Sequence, residues 1–122
     1  MIQYEILIDF IASFEKIKSG KKTVEMRLDN GDIPFLSSIK INDTISFTNT
    51  ENSERIQTKV IGLCRFKSFN ALVEFLGVQR CLTNSDNPPK DIDAYMELYY
   101  PREQIERCEK LGIVIDVKMR GM

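Results

Sequence analysis

Two spacings of hydrophobic residues alternate along the chain and predict a mixture of strands and helices. Apolar residues at every second position are typical of a strand, and a spacing of three or four residues is typical of an amphipathic helix. Strand patterns lie at residues 4–8, 23–28, 44–48, 55–66 and 113–119. Helical stripes are formed by Phe10, Phe14 and Ile17, by Phe69, Leu72, Val73 and Leu76, and by Ile92, Tyr95, Met96 and Tyr99. Strands therefore dominate the middle of the chain, and helices interrupt them at three or four places.

Small polar residues and glycine mark the ends of several of these elements. Gly20 follows the first helix, which we expect over residues 8–19, and glycine readily adopts the left-handed conformation that closes a helix. Ser68 precedes the second helical stripe and is a candidate N-cap, because its hydroxyl can accept a hydrogen bond from a free backbone N–H. Asp43 lies in the turn sequence Asn42-Asp43 and is expected to be a turn residue.

The C-terminal third of the chain begins with an irregular loop at residues 83–91 and then returns to regular structure. Pro101 suits the first position of a helix, because proline lacks the N–H that would be unpaired there. The charged run at residues 102–110 predicts a solvated helical face. We expect this helix to end at Gly112, before the closing strand.

No change of composition, repeat or low-complexity segment divides the sequence, so residues 1–122 are expected to form a single domain. Strands and helices do not alternate regularly, which disfavours a parallel sheet covered by helices on both faces. The pattern predicts a fold that is mainly β with helices, of the α+β class. The arrangement that fits best is a small antiparallel or mixed β-barrel with helices packed at its openings.

Composition and charge narrow the possible functions. Hydrophobic residues make up 43% of the chain and charged residues 29%, which is ordinary for a globular protein. The apolar runs are too short to cross a bilayer, and the beginning of the sequence lacks the features of a secretory signal. We therefore expect a cytoplasmic protein with no membrane partner. The net charge of −1 gives no general basic field, so any contact with a nucleic acid would be local.

The chain contains no histidine, which excludes Ser-His and Cys-His nucleophile pairs and His-ligated metal centres. Any catalysis would depend on Lys, Glu, Asp, Tyr or Thr. The three cysteines, Cys64, Cys81 and Cys108, are widely spaced and form no C-x-x-C motif. We expect three reduced thiols, no metal site and no cofactor.

The stretch GKKTVEMR, residues 20–27, carries the most unusual combination of side chains. In a strand, Thr23, Glu25 and Arg27 share one face, and Val24 and Met26 point to the other. A carboxylate beside cations offers both an acceptor and donors to a polar ligand. Two interpretations remain open: a polar pocket, or a solvated strand at the edge of a sheet.

The same stretch resembles the signature of the ASCH family, whose fold belongs to the PUA-like superfamily. The pattern is G-x-K-x-x-E-x-R after a short helix, and it is matched here by Gly20, Lys22, Glu25 and Arg27. Later segments resemble the family in the same order: NDTISF at residues 42–47, with Asn42 in place of a glycine, FKSF at 66–69, and YY at 99–100 followed by GIVI at 112–115. The resemblance covers almost the whole chain.

The resemblance implies a PUA-like barrel of five to seven strands with a cleft beside the motif, and a role in binding RNA, nucleosides or nucleotides. The ligand-binding residues it implies are Lys22, Thr23, Glu25 and Arg27. A related branch hydrolyses N4-acetylcytidine with a K-T-x-T-x-R version of the motif; here Glu25 stands in place of the second threonine. In an enzyme of this kind, Lys22 and Glu25 would be catalytic. Strict strand alternation, however, places Lys21 and not Lys22 on the face of Glu25.

Two tyrosines complete the candidate site. Tyr100 is a further ligand-binding candidate, because a tyrosine ring can stack on a base. Tyr99 extends the stripe of Ile92 and Met96 and is expected in the core. Three functions remain open from the sequence: a module that binds RNA or a nucleotide, a small hydrolase acting on a modified nucleoside or on RNA, and an accessory domain without a small ligand.

Overall fold

The computed structural model describes residues 2–9 and 11–117. Five strands form one sheet in the order β1-β3-β4-β5-β2. The strands are β1 (Gln3–Ile8), β2 (Val24–Leu28), β3 (Thr44–Asn49), β4 (Arg55–Phe66) and β5 (Lys110–Asp116). β1 and β3 are parallel, and the other neighbouring strands are antiparallel. The sheet curls into a half-barrel, which confirms the predicted α+β class with a barrel-like sheet and helices.

In the described part of the chain, five short helices and two 3-10 turns connect the strands. The helices are α1 (Ile11–Lys18), α2 (Phe69–Leu76), α3 (Val78–Cys81), α4 (Ile92–Tyr95) and α5 (Arg102–Arg107). The 3-10 turns are Pro34–Ser37 and Met96–Leu98. Ser68 caps α2 as predicted, since its hydroxyl accepts a hydrogen bond from the Ala71 N–H. No helix among the described residues is long and apolar enough to span a membrane.

Two hydrophobic clusters cover the two faces of the sheet. The first contains α1 residues Phe14 and Ile17 together with inward-facing residues of β1, β3, β4 and β5. The second joins helices α2 to α5 to β2, through residues such as Val24 and Leu28. Both faces of β2 are therefore largely buried, although β2 is an edge strand. A strand in this position can carry polar side chains only if they have partners.

The turn before β3 depends on Asp43, as the sequence predicted. Its buried carboxylate accepts hydrogen bonds from the backbone N–H groups of Ile2 (3.0 Å) and Lys40 (2.9 Å). The preceding residue, Asn42, has a φ of 80°, a left-handed conformation that asparagine tolerates better than most residues. This explains why asparagine can stand at a position where glycine would be the usual choice.

The prediction that Gly112 ends the last helix was wrong. α5 ends at Arg107, and β5 already begins at Lys110, which is buried and donates a hydrogen bond to the Ile105 carbonyl. Gly112 lies within β5, where an added Cβ would approach the Leu76 side chain to 3.1 Å. The glycine therefore allows α2 to pack closely on the sheet. The helix predicted over residues 102–110 is therefore observed only over Arg102–Arg107, because the chain enters β5 at Lys110.

The prediction that Tyr99 belongs to the core was also wrong. The helix with Ile92 at its start gives way to the 3-10 turn Met96–Leu98, which changes the direction of the following side chains. Tyr99 is half exposed, whereas Tyr100 packs partly against the second cluster.

The first helix begins at Ile11, after Ile8 has ended β1. Phe10 and Met119 of the predicted patterns lie outside the described residues.

Replacement of Phe14 should destabilise the protein strongly, because its ring is completely buried in the first cluster and anchors α1 to the sheet. We expect Phe14→Ala to lower the free energy of unfolding by about 3–5 kcal/mol. Ile11→Ala, on the exposed side of the same helix, should cost less than about 1 kcal/mol. Urea denaturation of both variants measures the difference. Similar losses for the two variants would contradict this position of α1.

Candidate functional site

A cavity of about 560 Å³ lies between the two edge strands of the curled sheet. Its volume is typical of sites for small ligands. β1 contributes Leu7 and Ile8, and β2 contributes Glu25, Met26 and Arg27. The remaining lining residues come from the α1 region, from the end of α3 and the segment after it, and from the end of α4 and the segment after it: Asp9, Ala12, Ser13, Lys22, Cys81, Leu82, Thr83, Asn84, Pro89, Tyr95, Met96, Tyr99 and Tyr100. The cavity therefore occupies the side on which the half-barrel does not close.

Glu25 is the buried acid of this cavity, with 4% of its surface exposed. Its Oε2 accepts a hydrogen bond from Arg27 Nε at 2.7 Å and lies 2.6 Å from Arg27 Nη2. Both contacts of the guanidinium therefore reach the same carboxylate oxygen. The other oxygen, Oε1, has no hydrogen-bond partner among the described residues; Lys22 Nζ lies 3.6 Å away. Glu25 thus keeps one acceptor unused.

The backbone after α1 brings Lys22 to Glu25, contrary to strict strand alternation. The N–H groups of Lys21 and Lys22 both donate to the carbonyl of Lys16 at 3.0 Å, so this segment is a compact turn and not an extended strand. β2 starts only at Val24. Lys22 Nζ also donates to Ser13 Oγ at 3.2 Å, which ties its ammonium to α1. Sequence alternation could not place Lys22, because alternation holds only inside a strand.

The electrostatics of the site favour an ionised Glu25. Burial acts to raise the pKa of its carboxyl group, but the positive charges of Arg27 and Lys22 more than offset this effect, and the pKa is lowered. Burial similarly acts to lower the pKa of Arg27, but Glu25 and Tyr100 outweigh it and the pKa is raised. Glu25 and Arg27 thus form an ion pair in which both groups stay ionised at neutral pH.

Tyr100 contributes to the site beside β2. Its hydroxyl accepts a hydrogen bond from the Leu28 N–H at 3.4 Å, and it interacts with Arg27. Its ring stacks on Phe69 with 6.4 Å between ring centroids. The structure therefore brings together four of the five predicted ligand-binding residues: Lys22, Glu25, Arg27 and Tyr100.

Thr23 is the predicted ligand-binding residue that does not line the cavity. Its hydroxyl accepts a hydrogen bond from Arg80 Nε at 2.9 Å, and its N–H donates to the Arg80 carbonyl. Thr23 therefore joins the start of β2 to α3. Sequence alternation placed it on the face of Glu25, but its hydroxyl is used by a neighbouring helix.

Several cavity residues were not among the sequence candidates. Tyr99 was assigned to the core by its helical spacing, and Ser13 had no distinguishing pattern. Lys16, which has no distinguishing sequence pattern either, donates to the Thr83 carbonyl at 2.6 Å and lies 3.3 Å from Ser85 Oγ. This contact fixes the irregular loop against α1 and so forms one wall of the cavity. A lysine with such a role cannot be recognised from local sequence.

The cysteines do not add a reactive centre to the site. All three are free thiols, and Cys81 lies in the cavity wall. Burial raises the pKa of Cys81 to about 11, which keeps the less reactive thiol form at neutral pH. Within residues 2–9 and 11–117, no group of three or more Cys, Asp or Glu side chains could hold a metal ion.

Two solved structures have a similar fold. The crystal structure of hypothetical protein PH0355 matches with a TM-score of 0.73 and 26% identity, covering 94% of this chain and 98% of that chain. The solution NMR structure of protein PF0455 from Pyrococcus furiosus matches with a TM-score of 0.66 and 24% identity, covering 94% and 96%. No protein-family model and no curated protein sequence matches this chain. The similarity therefore supports the fold.

The lowered pKa of Glu25 predicts a specific loss of stability in acid. The ionised carboxylate is stabilised more in the folded state than in the unfolded state. The contribution of Glu25 to stability is therefore complete above the ordinary pKa of 4.5. The contribution should disappear as the pH falls through the lower pKa of the folded state. Glu25→Gln should therefore differ most from the parent near pH 7 and progressively less below pH 4.5.

Denaturant unfolding at a series of pH values between neutral and acid measures this difference. Glu74→Gln, on the exposed side of α2, controls for the removal of one negative charge. A stability difference between Glu25→Gln and the parent that does not change with pH would contradict the ionised, cation-paired carboxylate.

Replacement of Arg27 should destabilise the protein, because it leaves a buried carboxylate without its closest partner. We expect Arg27→Ala to cost about 1–3 kcal/mol at pH 7. Arg55→Ala removes an exposed contact, 3.8 Å from Glu5, and should cost less than about 1 kcal/mol. The double variant Glu25→Gln/Arg27→Ala should lose less than the sum of its two single variants. Additive losses in thermal or urea denaturation would show that the two side chains act independently.

Proposed function

We propose that this protein is an ASCH-type cytoplasmic module that binds RNA or a nucleotide by holding one nucleobase against Glu25. The observation that carries this proposal is the buried Oε1 atom of Glu25, which is ion-paired with Lys22 Nζ at 3.6 Å but accepts no hydrogen bond among the described residues. A buried acceptor without a donor costs about 1–3 kcal/mol, and a ligand that supplies a donor recovers this cost. The exocyclic amino groups of cytosine, adenine and guanine are such donors.

The other walls of the cavity suit the flat, partly apolar surface of a base. Met26, Met96 and Tyr95 also line the cavity, where they offer apolar and aromatic surface. Methionine side chains adapt to planar ligands, and tyrosine rings offer a stacking face. An acceptor surrounded by such walls favours a base edge over a small inorganic anion.

The cations on either side of Glu25 suit a single phosphate or a ribose. Lys22 and Arg27 together carry two positive charges, and Glu25 and Asp9 carry two negative charges among the residues that line the cavity. The lining is therefore neutral as a whole and positive only locally. Such a distribution supports contact with one or two nucleotides and argues against a long track for a nucleic-acid backbone.

The lowered pKa of Glu25 and the contacts of Lys22 favour binding over hydrolysis. A general acid or base works best when its pKa lies near the working pH, and the pKa of Glu25 is lowered away from that range. A nucleophilic lysine needs a free amine, but the Lys22 ammonium is engaged by Glu25 and Ser13. Glu25 is therefore better suited to accept a hydrogen bond than to transfer a proton.

The test compares ligands that differ in the exocyclic amino group. By isothermal titration calorimetry, the parent should bind cytidine more tightly than uridine, and adenosine more tightly than purine riboside. Glu25→Gln should reduce this preference about tenfold, because its amide can turn a donor towards the ligand. Lys22→Ala should weaken binding of 5′-monophosphates more than binding of nucleosides, because its partner would be the phosphate.

Glu74→Gln should bind like the parent, and melting temperatures establish that the variants are folded. The proposal fails if the parent binds no member of the panel, or if Glu25→Gln has the same preferences as the parent. Conversion of N4-acetylcytidine to cytidine by the parent, abolished in Lys22→Ala, would contradict a binding role and favour the hydrolase.

A further inference from the structure

Two large apolar side chains stand exposed at the mouth of the cavity. Among the exposed hydrophobic residues of the described chain, Leu7 (59% exposed) and Tyr99 (50% exposed) also line the cavity. Leu7 belongs to β1, and Tyr99 follows the 3-10 turn after α4, so they approach the cavity from different walls. Core packing does not account for the position of either side chain. The mouth is therefore more apolar than the charged interior around Glu25.

The ring of Tyr99 is held in place by Tyr95. The two rings meet edge to face, with centroids 6.0 Å apart and planes inclined by 66°, and their hydroxyl oxygens are 3.4 Å apart. Tyr95 is itself packed against the second hydrophobic cluster, so it connects Tyr99 to a rigid part of the molecule. The hydrogen bond with Tyr95, together with burial, raises the pKa of Tyr99 to about 12. The ring is thus a fixed, uncharged surface at neutral pH.

We propose that Tyr99 is a stacking position for a second base, so that the preferred ligand is single-stranded RNA of at least two nucleotides. This inference rests on the proposed function, because the first base is the one held at Glu25. An aromatic face stacks on any base, so the second position adds affinity with little sequence preference. The ring is continuous with the cavity that would hold the first base, which makes a neighbouring nucleotide the occupant that fits it.

Stacking, and not charge, would supply most of the added affinity. The charges that line the cavity balance, since Asp9 and Glu25 offset Lys22 and Arg27. At most two cations are available to phosphates there, and each phosphate contact on a single strand contributes about 0.7 to the slope of log K against log salt. We therefore expect a slope no steeper than about −1.4 for the dinucleotide.

The experiment measures how much a second nucleotide adds to binding. Calorimetry compares a mononucleotide with the dinucleotide and tetranucleotide that extend it, using the folded protein and its variants. The parent should bind the dinucleotide about 5- to 100-fold more tightly than the mononucleotide, and two further nucleotides should add little. Tyr99→Ala should reduce this ratio to near one. Tyr99→Phe should keep most of it, because the ring remains.

Leu98→Ala provides the matched control. Leu98 is the neighbouring residue, is 74% exposed and does not line the cavity, so its loss should leave the ratio as in the parent. A ratio near one in the parent, with mononucleotide preference still changed by Glu25→Gln, would overturn this inference and leave the proposed function standing. An equal loss of mononucleotide and dinucleotide binding in Tyr99→Ala would also overturn it, by assigning Tyr99 to the first base. Failure of every ligand to bind would overturn both proposals.

Discussion

The buried ion pair between Glu25 and Arg27 constrains the rest of this structure. A carboxylate in the interior is costly unless a cation and hydrogen bonds compensate for the water it has lost. Arg27 meets this requirement because residues two apart in a strand share a face. The same alternation sends Val24 and Leu28 to the other face, where helices α2 to α5 must cover them. Because both faces of this edge strand are enclosed, its carboxylate needs the paired guanidinium.

The pair is also asymmetric, because the two carboxylate oxygens of Glu25 have different partners. A structural salt bridge is most stable when both carboxylate oxygens have donors. Here both guanidinium contacts reach Oε2, while Oε1 lies 3.6 Å from Lys22 Nζ without a hydrogen bond among the described residues. Because Ser13 also binds the lysine, the ammonium is shared between α1 and Glu25. The proposed ligand would supply the hydrogen bond that Oε1 lacks among the described residues.

Alternation and capping in the sequence were sufficient to predict the strands, the Ser68 cap and the shared face of Glu25 and Arg27, because these depend on neighbours in the chain. The errors arose where distant contacts decide. The role of Gly112 depends on its close approach to Leu76. The exposure of Tyr99 depends on the change from α4 to a 3-10 turn. Lys22, in contrast, was predicted from the family resemblance and does line the cavity, where a local turn that suspends strand alternation brings it to Glu25. The position of the cavity depends on how the sheet curls, which no local pattern contains.

The incomplete closure of the sheet connects the fold to the site. In a closed barrel, β1 and β2 would pair and satisfy each other's outer edges. Here they remain the two edges of the sheet, and both contribute side chains to the cavity between them. Part of the β2 edge is occupied by Tyr100, whose hydroxyl accepts the Leu28 N–H. A ligand between the strands would therefore contact one wall from each edge, and its size would be limited by the gap. The half-barrel thus gives a small cleft between its two edge strands, with balanced charge, and these are the two features on which the proposal of one or two bound nucleotides depends.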